Sequence, residues 1–357
     1  MTPATDAKPA SSDGVSLARL YARFVRARLL GLCLFGLAVL VSFLADVATG
    51  PSSFPLPDIL NGILDPASLD RGQSVILWNV RLPYAVMALI VGAALGLAGA
   101  EMQTVLNNPL ASPFTLGVSA AATLGAALAI AFVVHVPFLG ALYGVPLTAF
   151  VFAAGSILLI QLLARAYGAS GETVILFGIA IYFTCEALLW LVQFVADADT
   201  LQQIVFWTMG SLTRASWDKI AVVAAVLAVM LPLSLHDAWT LTTLRGGEEQ
   251  ARSFGIRVER LRMISLLRVS VLAAAAVAFV GTIGFIGLIG PHIARLAFGE
   301  DHRFYLPGSA LAGALILSLA SIASKLIVPG LILPIGIVTA LIGIPLFLAL
   351  VLTRRHG

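Results

Sequence analysis

Apolar runs of about 20 residues, each long enough to cross a hydrocarbon layer roughly 30 Å thick, recur along nearly the whole of this 357-residue chain. That feature removes most fold classes. Hydrophobic residues make up 60% of the chain and charged residues only 11%, with a mean hydropathy of +1.01, far from the balance of a soluble domain. Lipid offers no partner to backbone N–H and C=O groups, and the runs lack the alternation of barrel strands, so each is expected to be a helix.

The expected spans are 29–47, 83–105, 114–134, 139–163, 173–196, 218–237, 264–282, 304–324 and 332–352. A tenth, "GFIGLIGPHIARLAF" at 284–298, is short and broken by glycine and proline. Counting it places both termini on one side, together with Lys8, Arg19, Arg23, Arg26, Arg28, Arg165, the six arginines from Arg245 to Arg268, Arg295, Arg303, Arg354 and Arg355. Only Arg71, Arg81, Arg214, Lys219 and Lys325 fall on the other side. By the positive-inside rule, the expectation is an all-α integral membrane protein of about ten transmembrane helices. It has a cytoplasmic tail over 1–28, a membrane domain over 29–352 and a cytoplasmic tail over 353–357. The apolar segment after the basic tail is too long for a signal peptide and lacks a clean small-residue cleavage site, so the tail is expected to be retained. Cys33 and Cys185 lie inside apolar runs and are expected to be small core residues.

One stretch breaks the pattern. "LRGGEEQARSFGIRVERLR", residues 244–262, carries eight charges in nineteen positions. It belongs to an expected cytoplasmic loop over about 238–263. From Glu248 to Phe254 it can form a short helix with acids in its first turn, where the helix dipole favours them. Gly246 and Gly247 before it and Gly255 after it act as breakers. Two readings are open: a solvated loop, or a docking helix for a cytoplasmic partner. Within the spans, Gly92, Gly96 and Gly99 share one helix face, which allows close backbone approach. "NNPLASP" reads as a tight turn in which Asn107 and Asn108 cap and Pro109 and Pro113 break. Glu101 and Glu186 stand inside apolar runs, where a carboxylate must be paired, protonated or facing water. Each is either a packing residue or part of a polar pathway wall.

Four stretches together resemble the FecCD family of permeases, the membrane subunits of bacterial ABC importers for iron-siderophores, haem and cobalamin. They are "VRLPYAVMALIVGAALGLAGAEMQTVLNNPLASPFTLGVSAAATLGA" (80–126), "VFWTMGSLTRASW" (205–217), "GGEEQARSFGI" (246–256), and "GTIGFIGLIGPHIARLAFGEDHRFYLPGSALAGA" (281–314) followed by "LPIGIVTALIGIPLFLALV" (333–351). The resemblance runs from about residue 75 to the end. It implies a type II importer permease fold of ten helices, paired with an identical or related permease. It also implies two ATPase subunits below and a periplasmic binding protein above. The chain has no G-x-x-x-x-G-K-[ST] loop, so ATP and its Mg²⁺ belong to the partner ATPase. No catalytic residue, resident cofactor, metal site or nucleic-acid partner is expected of the chain itself.

By the same resemblance, Gly247, Glu248, Ala251 and Gly255 match the family's coupling helix, with Gly246 and Phe254 replacing leucines and with Arg252 setting register. Arg81 and Lys325 fall where the family places basic residues that dock the binding protein. Tyr84 stands where a second arginine is usual, and Lys325 where arginine is usual, and lysine is the poorer bidentate partner. Snorkelling at the interface is the other reading of both cations. Pro291, His292 and Arg295 are expected to shape a broken helix near the ATPase. Glu186, on the pathway-lining fifth span of the family, is the better pathway candidate of the two acids. The expected function is a permease subunit moving a ferric siderophore or similar metal chelate to the cytoplasm by alternating access, in the inner membrane. Haem or cobalamin import, a proton-driven secondary transporter using Glu101 and Glu186, and a membrane anchor are the alternatives.

Overall fold

Every regular element is a helix among residues 17–50, 55–132, 140–167 and 171–353, which the computed structural model describes. Residues 1–16 of the expected N-terminal tail, the interval 133–139, and Arg354 and Arg355 lie outside the described residues. In chain order the helices are α1 (Leu17–Ala48), α2 (Leu56–Leu64), α3 (Arg71–Val75), α4 (Leu82–Val105), α5 (Val118–Ala131), α6 (Gly140–Tyr167), α7 (Gly171–Val195), α8 (Ala198–Thr208), α9 (Trp217–His236), α10 (Ala238–Arg245), α11 (Glu248–Ser253), α12 (Val258–Val280), α13 (Ile286–Phe298), α14 (His302–Leu326) and α15 (Ile335–Thr353). Seven helical runs are long and apolar enough to cross a membrane: α1, the continuous run from α3 through α4, α6, α7, α9, α12 and α14. Three shorter apolar helices, α5, α13 and α15, complete the ten expected segments.

The boundaries depart from expectation for local reasons. Before α4 the helix continues back to Arg71 through a wide π turn over Ile76–Arg81, in which the Leu82 N–H reaches the Leu77 carbonyl. Pro83 has no N–H for the preceding turn, and the wide turn carries the helix past it. At α5 the start shifts to Val118, because Ser112 and Thr115 exchange hydrogen bonds in a turn that ends on Gly117 at φ +76°. Helix α12 begins at Val258, six residues before the expected span, because Arg262 and Arg268 are buried and paired inside it. Four short helices, α2, α3, α8 and α10, lie between the expected spans. Asp70 and Gln73 form a capping box on α3, and Asp197 caps α8 by accepting from the Thr200 N–H at 2.8 Å. That backbone bond holds the Asp197 carboxyl below its usual range, so the cap is present at neutral pH and is lost only as pH falls through the lowered value.

Helix α4 is the centre of the bundle. Nearly all of its residues are buried, packed against α14, α12, α13 and α9. Its glycines allow this. A Cβ on Gly92 would strike the Gly313 carbonyl of α14, and one on Gly313 would strike the Gly92 carbonyl. Gly96 meets the Ser309 carbonyl and Gly99 the Gly287 carbonyl in the same way. Lipid tails are as apolar as leucine, so helices associate here through close packing rather than through a hydrophobic force. Helix α1 is peripheral. It is tied to α14 by a polar ladder, Ser42 to Ser318 at 2.7 Å and Ser321 to Asp46 at 2.7 and 2.8 Å. Cys33 is consequently exposed on α1 rather than in the core, whereas Cys185 is buried.

Substitution at these glycines tests the packing. Gly96→Val is expected to lower the thermal midpoint of the detergent-purified protein, at a cost of about 1–3 kcal/mol or more from overpacking. Gly36→Ala and Gly155→Ala, where an added Cβ meets nothing within 4 Å, should leave the midpoint unchanged. Equal midpoints for all three variants would contradict the role of backbone contact at Gly96.

Candidate functional site

Helix α11 stands apart at one end of the bundle. Gly247 at φ +123° and Gly255 at φ +80° bound it, backbone geometries that side chains disfavour. Ala251 is its one buried residue, while Glu249, Gln250, Arg252, Ser253 and the neighbouring Phe254 are exposed. Glu248 turns toward the bundle instead, accepting from Arg262 of α12 and, at 3.2 Å, from Arg252. Arg262 in turn donates its Nε to the Val105 carbonyl at 2.9 Å, one of the carbonyls left over at the end of α4. Arg252 also reaches Glu259 at 2.7 Å. Nearby, Arg245 pairs with Glu300 at 3.0 Å and donates to Asn107 Oδ1 at 2.8 Å. Asn107 is left-handed at φ +44°. The short helix is thereby clamped to α12 and to the end of α4.

A second relay supports the same end. Pro291 lies inside α13 and gives no N–H to the Gly287 carbonyl one turn back. The Gln103 amide of α4 approaches the Gly287 and Leu288 carbonyls, each at 3.4 Å. Arg295 holds that amide through its Oε1 at 3.1 Å and also donates to the Tyr305 hydroxyl at 3.0 Å. Proline is therefore accommodated within α13; the backbone break lies just before it, where Phe285 is left-handed at φ +68°.

The two intramembrane acids part company. Glu101 on α4 is 0% exposed. It accepts from the Ser234 hydroxyl and from Arg268 Nε at 3.2 and 3.0 Å, while Arg268 NH1 reaches Asp237 Oδ2 at 2.7 Å and NH2 reaches Ser265 at 3.1 Å. Glu101 is thus enclosed by α4, α9 and α12 of its own chain, the arrangement that the packing reading of this acid describes. Glu186 on α7 is half-buried and has no hydrogen-bond or ion-pair partner among the described residues. It borders the buried stripe Val174, Gly178, Ile181, Cys185, Leu189 and Val192, while Phe183, Trp190 and Phe194 of the same helix are exposed.

At the opposite end, Arg81 and Lys325 are turned inward. Arg81, 4% exposed, donates to the Val47 and Ala48 carbonyls at 3.0 Å each. Lys325 Nζ reaches Asp46 Oδ1 at 2.7 Å and the Asp46 carbonyl at 2.8 Å, and sits 4.5 Å from the Tyr84 ring centroid. Both hold the end of α1 against α4 and α14, so neither offers the exposed cation expected of a docking contact. The partners Asp46, Asp237, Arg262 and Arg268 were not singled out from sequence. An arginine near an apolar run that also holds an acid was the available signal.

The model of the FecCD transport family matches residues 38–353. The chain belongs to the FecCD transport family. It is an ABC importer permease and a multi-pass membrane protein. A Methanocaldococcus jannaschii protein assigned as an ABC transporter permease is 38% identical over 330 residues, covering 89% of this chain and 94% of the relative. The hemin transport system permease of Yersinia pestis is 38% identical over 281 residues, covering 78% and 84%. A solved structure, an inward-facing conformation of a transporter assigned to the metal-chelate ABC type, superposes with a TM-score of 0.78 at 31% identity, covering 91% of this chain and 99% of that one. Further relatives carry the names of vitamin B12 and Fe(3+)-citrate import permeases.

In a FecCD permease, the Glu101–Arg268–Asp237 cluster has a further meaning from its position. Asp237 ends α9 at the corner from which α10 and then α11 depart, so Arg268 fastens that corner to α4. Removing the guanidinium leaves two carboxylates facing each other. Arg268→Ala is expected to destabilise the protein by about 3–5 kcal/mol, with part of the loss recovered in Arg268→Ala/Glu101→Ala. A thermal double-variant cycle in detergent checks this, and additive losses would show that the pair does not interact.

Proposed function

We propose that this permease carries a ferric siderophore or a similar metal chelate from a periplasmic binding protein to the cytoplasm by alternating access. Haem and cobalamin are the alternative cargoes, since relatives named for hemin, vitamin B12 and Fe(3+)-citrate lie at similar identity. The observation that carries the reading is α11: an exposed short helix joined through Glu248, Arg262 and the Val105 carbonyl to the central helix. A helix mounted in this way moves with the core rather than independently of it. Seated in a groove of an ATPase subunit, it would pass the closure of that subunit to α4 as a rigid-body displacement. Gly247 and Gly255 provide the sharp entry and exit, and Ala251 the close seat beneath.

In this reading α11 and both termini face the cytoplasm, supported by the lysine and arginine distribution, and the membrane is the bacterial inner membrane. Two ATPase subunits supply ATP hydrolysis and bind ATP with Mg²⁺. A second permease, identical or related, covers the exposed apolar faces of α7 and α15, which present Phe183, Trp190, Leu341 and Leu348. Glu186 then stands at the pathway between the two permeases, the water-facing solution for an unpaired carboxylate. The binding protein docks at the end where Arg81 and Lys325 brace α1, and the exposed Arg71 at the start of α3 supplies charge at the contact.

Uptake of ferric siderophores into proteoliposomes tests the reading. Uptake should require ATP inside, the partner ATPase and the binding protein outside. ATP-independent uptake by this chain alone would turn the reading toward a proton-coupled carrier. Exchanging the charges at Glu248 and Arg252 should reduce coupled transport at least about fivefold with the protein still in the membrane, and unchanged coupling would remove α11 from the role. Glu186→Gln should alter transport without altering stability. Arg71→Glu should weaken the complex with the binding protein in a salt-sensitive way, whereas Arg81→Glu should first loosen α1.

A further inference from the structure

At the end of the bundle opposite α11, one groove joins two chemistries. Its mouth, about 560 Å³, is lined by Gln202, Gln203, Arg214 and Lys219 together with aromatic and aliphatic side chains, and no carboxylate lines it among the described residues. Pro146, Ala278 and Phe279 are shared with a second cavity of about 340 Å³, whose walls are wholly apolar: Leu147 and Phe150 of α6, Val222 and Val226 of α9, and Ala275 of α12. All three helices are long and apolar enough to cross a membrane.

The cations at the mouth are incompletely used. Arg214, in the short turn between α8 and α9, donates NH2 to the Phe206 carbonyl at 3.1 Å and lies over the Trp207 ring. Its NH1 is buried with no hydrogen-bond partner, a costly condition for a charged donor. Lys219 Nζ donates to the Arg214 carbonyl at 2.8 Å, which leaves further ammonium donors. Two cations without an acid call for an anion. An apolar trough running on from them, between membrane-crossing helices, calls for hydrocarbon.

We propose that this groove holds one anionic glycerophospholipid, its phosphate between Arg214 and Lys219 and one acyl chain along α6, α9 and α12. A phosphate oxygen satisfies the orphaned NH1 and accepts from Lys219, a pairing that guanidinium geometry suits. The acyl chain fills the trough, and the headgroup attracts both cations at the membrane surface. A bound lipid of this kind would pin the α8–α9 turn against the end of α12.

Native mass spectrometry of the purified full chain in an uncharged detergent tests the proposal, with phosphatidylglycerol, phosphatidylcholine or inorganic phosphate added. One phosphatidylglycerol should be retained in preference to phosphatidylcholine, and the thermal midpoint should rise with it. Arg214→Gln/Lys219→Gln should weaken retention roughly tenfold or more. Val222→Trp, which blocks the trough at a partly exposed position, should also weaken it while leaving both cations in place. If the double variant does not fold, Lys219→Gln alone and Val222→Trp carry the test. Equal retention of the two lipids, retention unchanged in these variants, or equal stabilisation by inorganic phosphate alone would each overturn the proposal.

Discussion

The rest of the structure depends on backbone meeting backbone along α4. Gly92, Gly96 and Gly99 bring this helix so close to α13 and α14 that carbonyls occupy the space where side chains would be. Without that approach, the Gln103 amide could not reach the carbonyl freed by Pro291, and Tyr84 could not reach Ser324 at 3.1 Å. Close packing also excludes water, which makes each enclosed polar group dependent on a protein partner. The polar network and the glycine seam are therefore one device. The seam sets the distances, and the network satisfies what the seam buries.

Arginine carries much of this polar work, and three arginines bond to three different helix ends. Arg262 reaches the Val105 carbonyl at the end of α4, Arg81 the Val47 and Ala48 carbonyls at the end of α1, and Arg268 the carboxylate at the end of α9. Helix C-termini expose unpaired carbonyls and the negative end of the macrodipole. A fork of five donors can hold such an end while keeping its charge compensated. This gives the bundle fixed joints at both membrane faces. One of these joints bears α11, so that a push on the exposed helix acts on α4 and α12 together.

Much of the architecture was legible in sequence because membrane thickness sets a length that hydropathy can read. The ten segments and the short helix after Gly247 follow from composition and breakers, whereas the break expected around Pro291 lies before the helix, at Phe285, and α13 runs unbroken through the proline. The side-chain partners were not legible. Glu101 and Arg268 are separated by 167 positions, and nothing in either local pattern names the other. Arg81 looked like an interfacial cation because the C-terminal carbonyls of α1 that receive it become neighbours only on folding. The small helices α3 and α8 had readable caps in Asp70, Gln73 and Asp197. Helix α8 lies between spans, where bilayer thickness imposes no length, and α3 extends the α4 run beyond the start that hydropathy marks.

Glu101 and Glu186 show how little residue type and depth decide on their own. Both are glutamates within apolar helices, and lipid penalises both alike. Around Glu101 the chain supplies Arg268, Ser234 and a closed shell, so the carboxylate is answered inside the fold and contributes to how α4, α9 and α12 are held. Around Glu186 the chain supplies no such partner among the described residues, and the adjoining face of α7 is exposed. A carboxylate left in that state is protonated, faces water, or meets a partner outside the single chain. Within one chain, then, the glutamate of α4 is satisfied by its neighbours, whereas that of α7 stands beside an exposed helix face without a hydrogen-bond or ion-pair partner among the described residues.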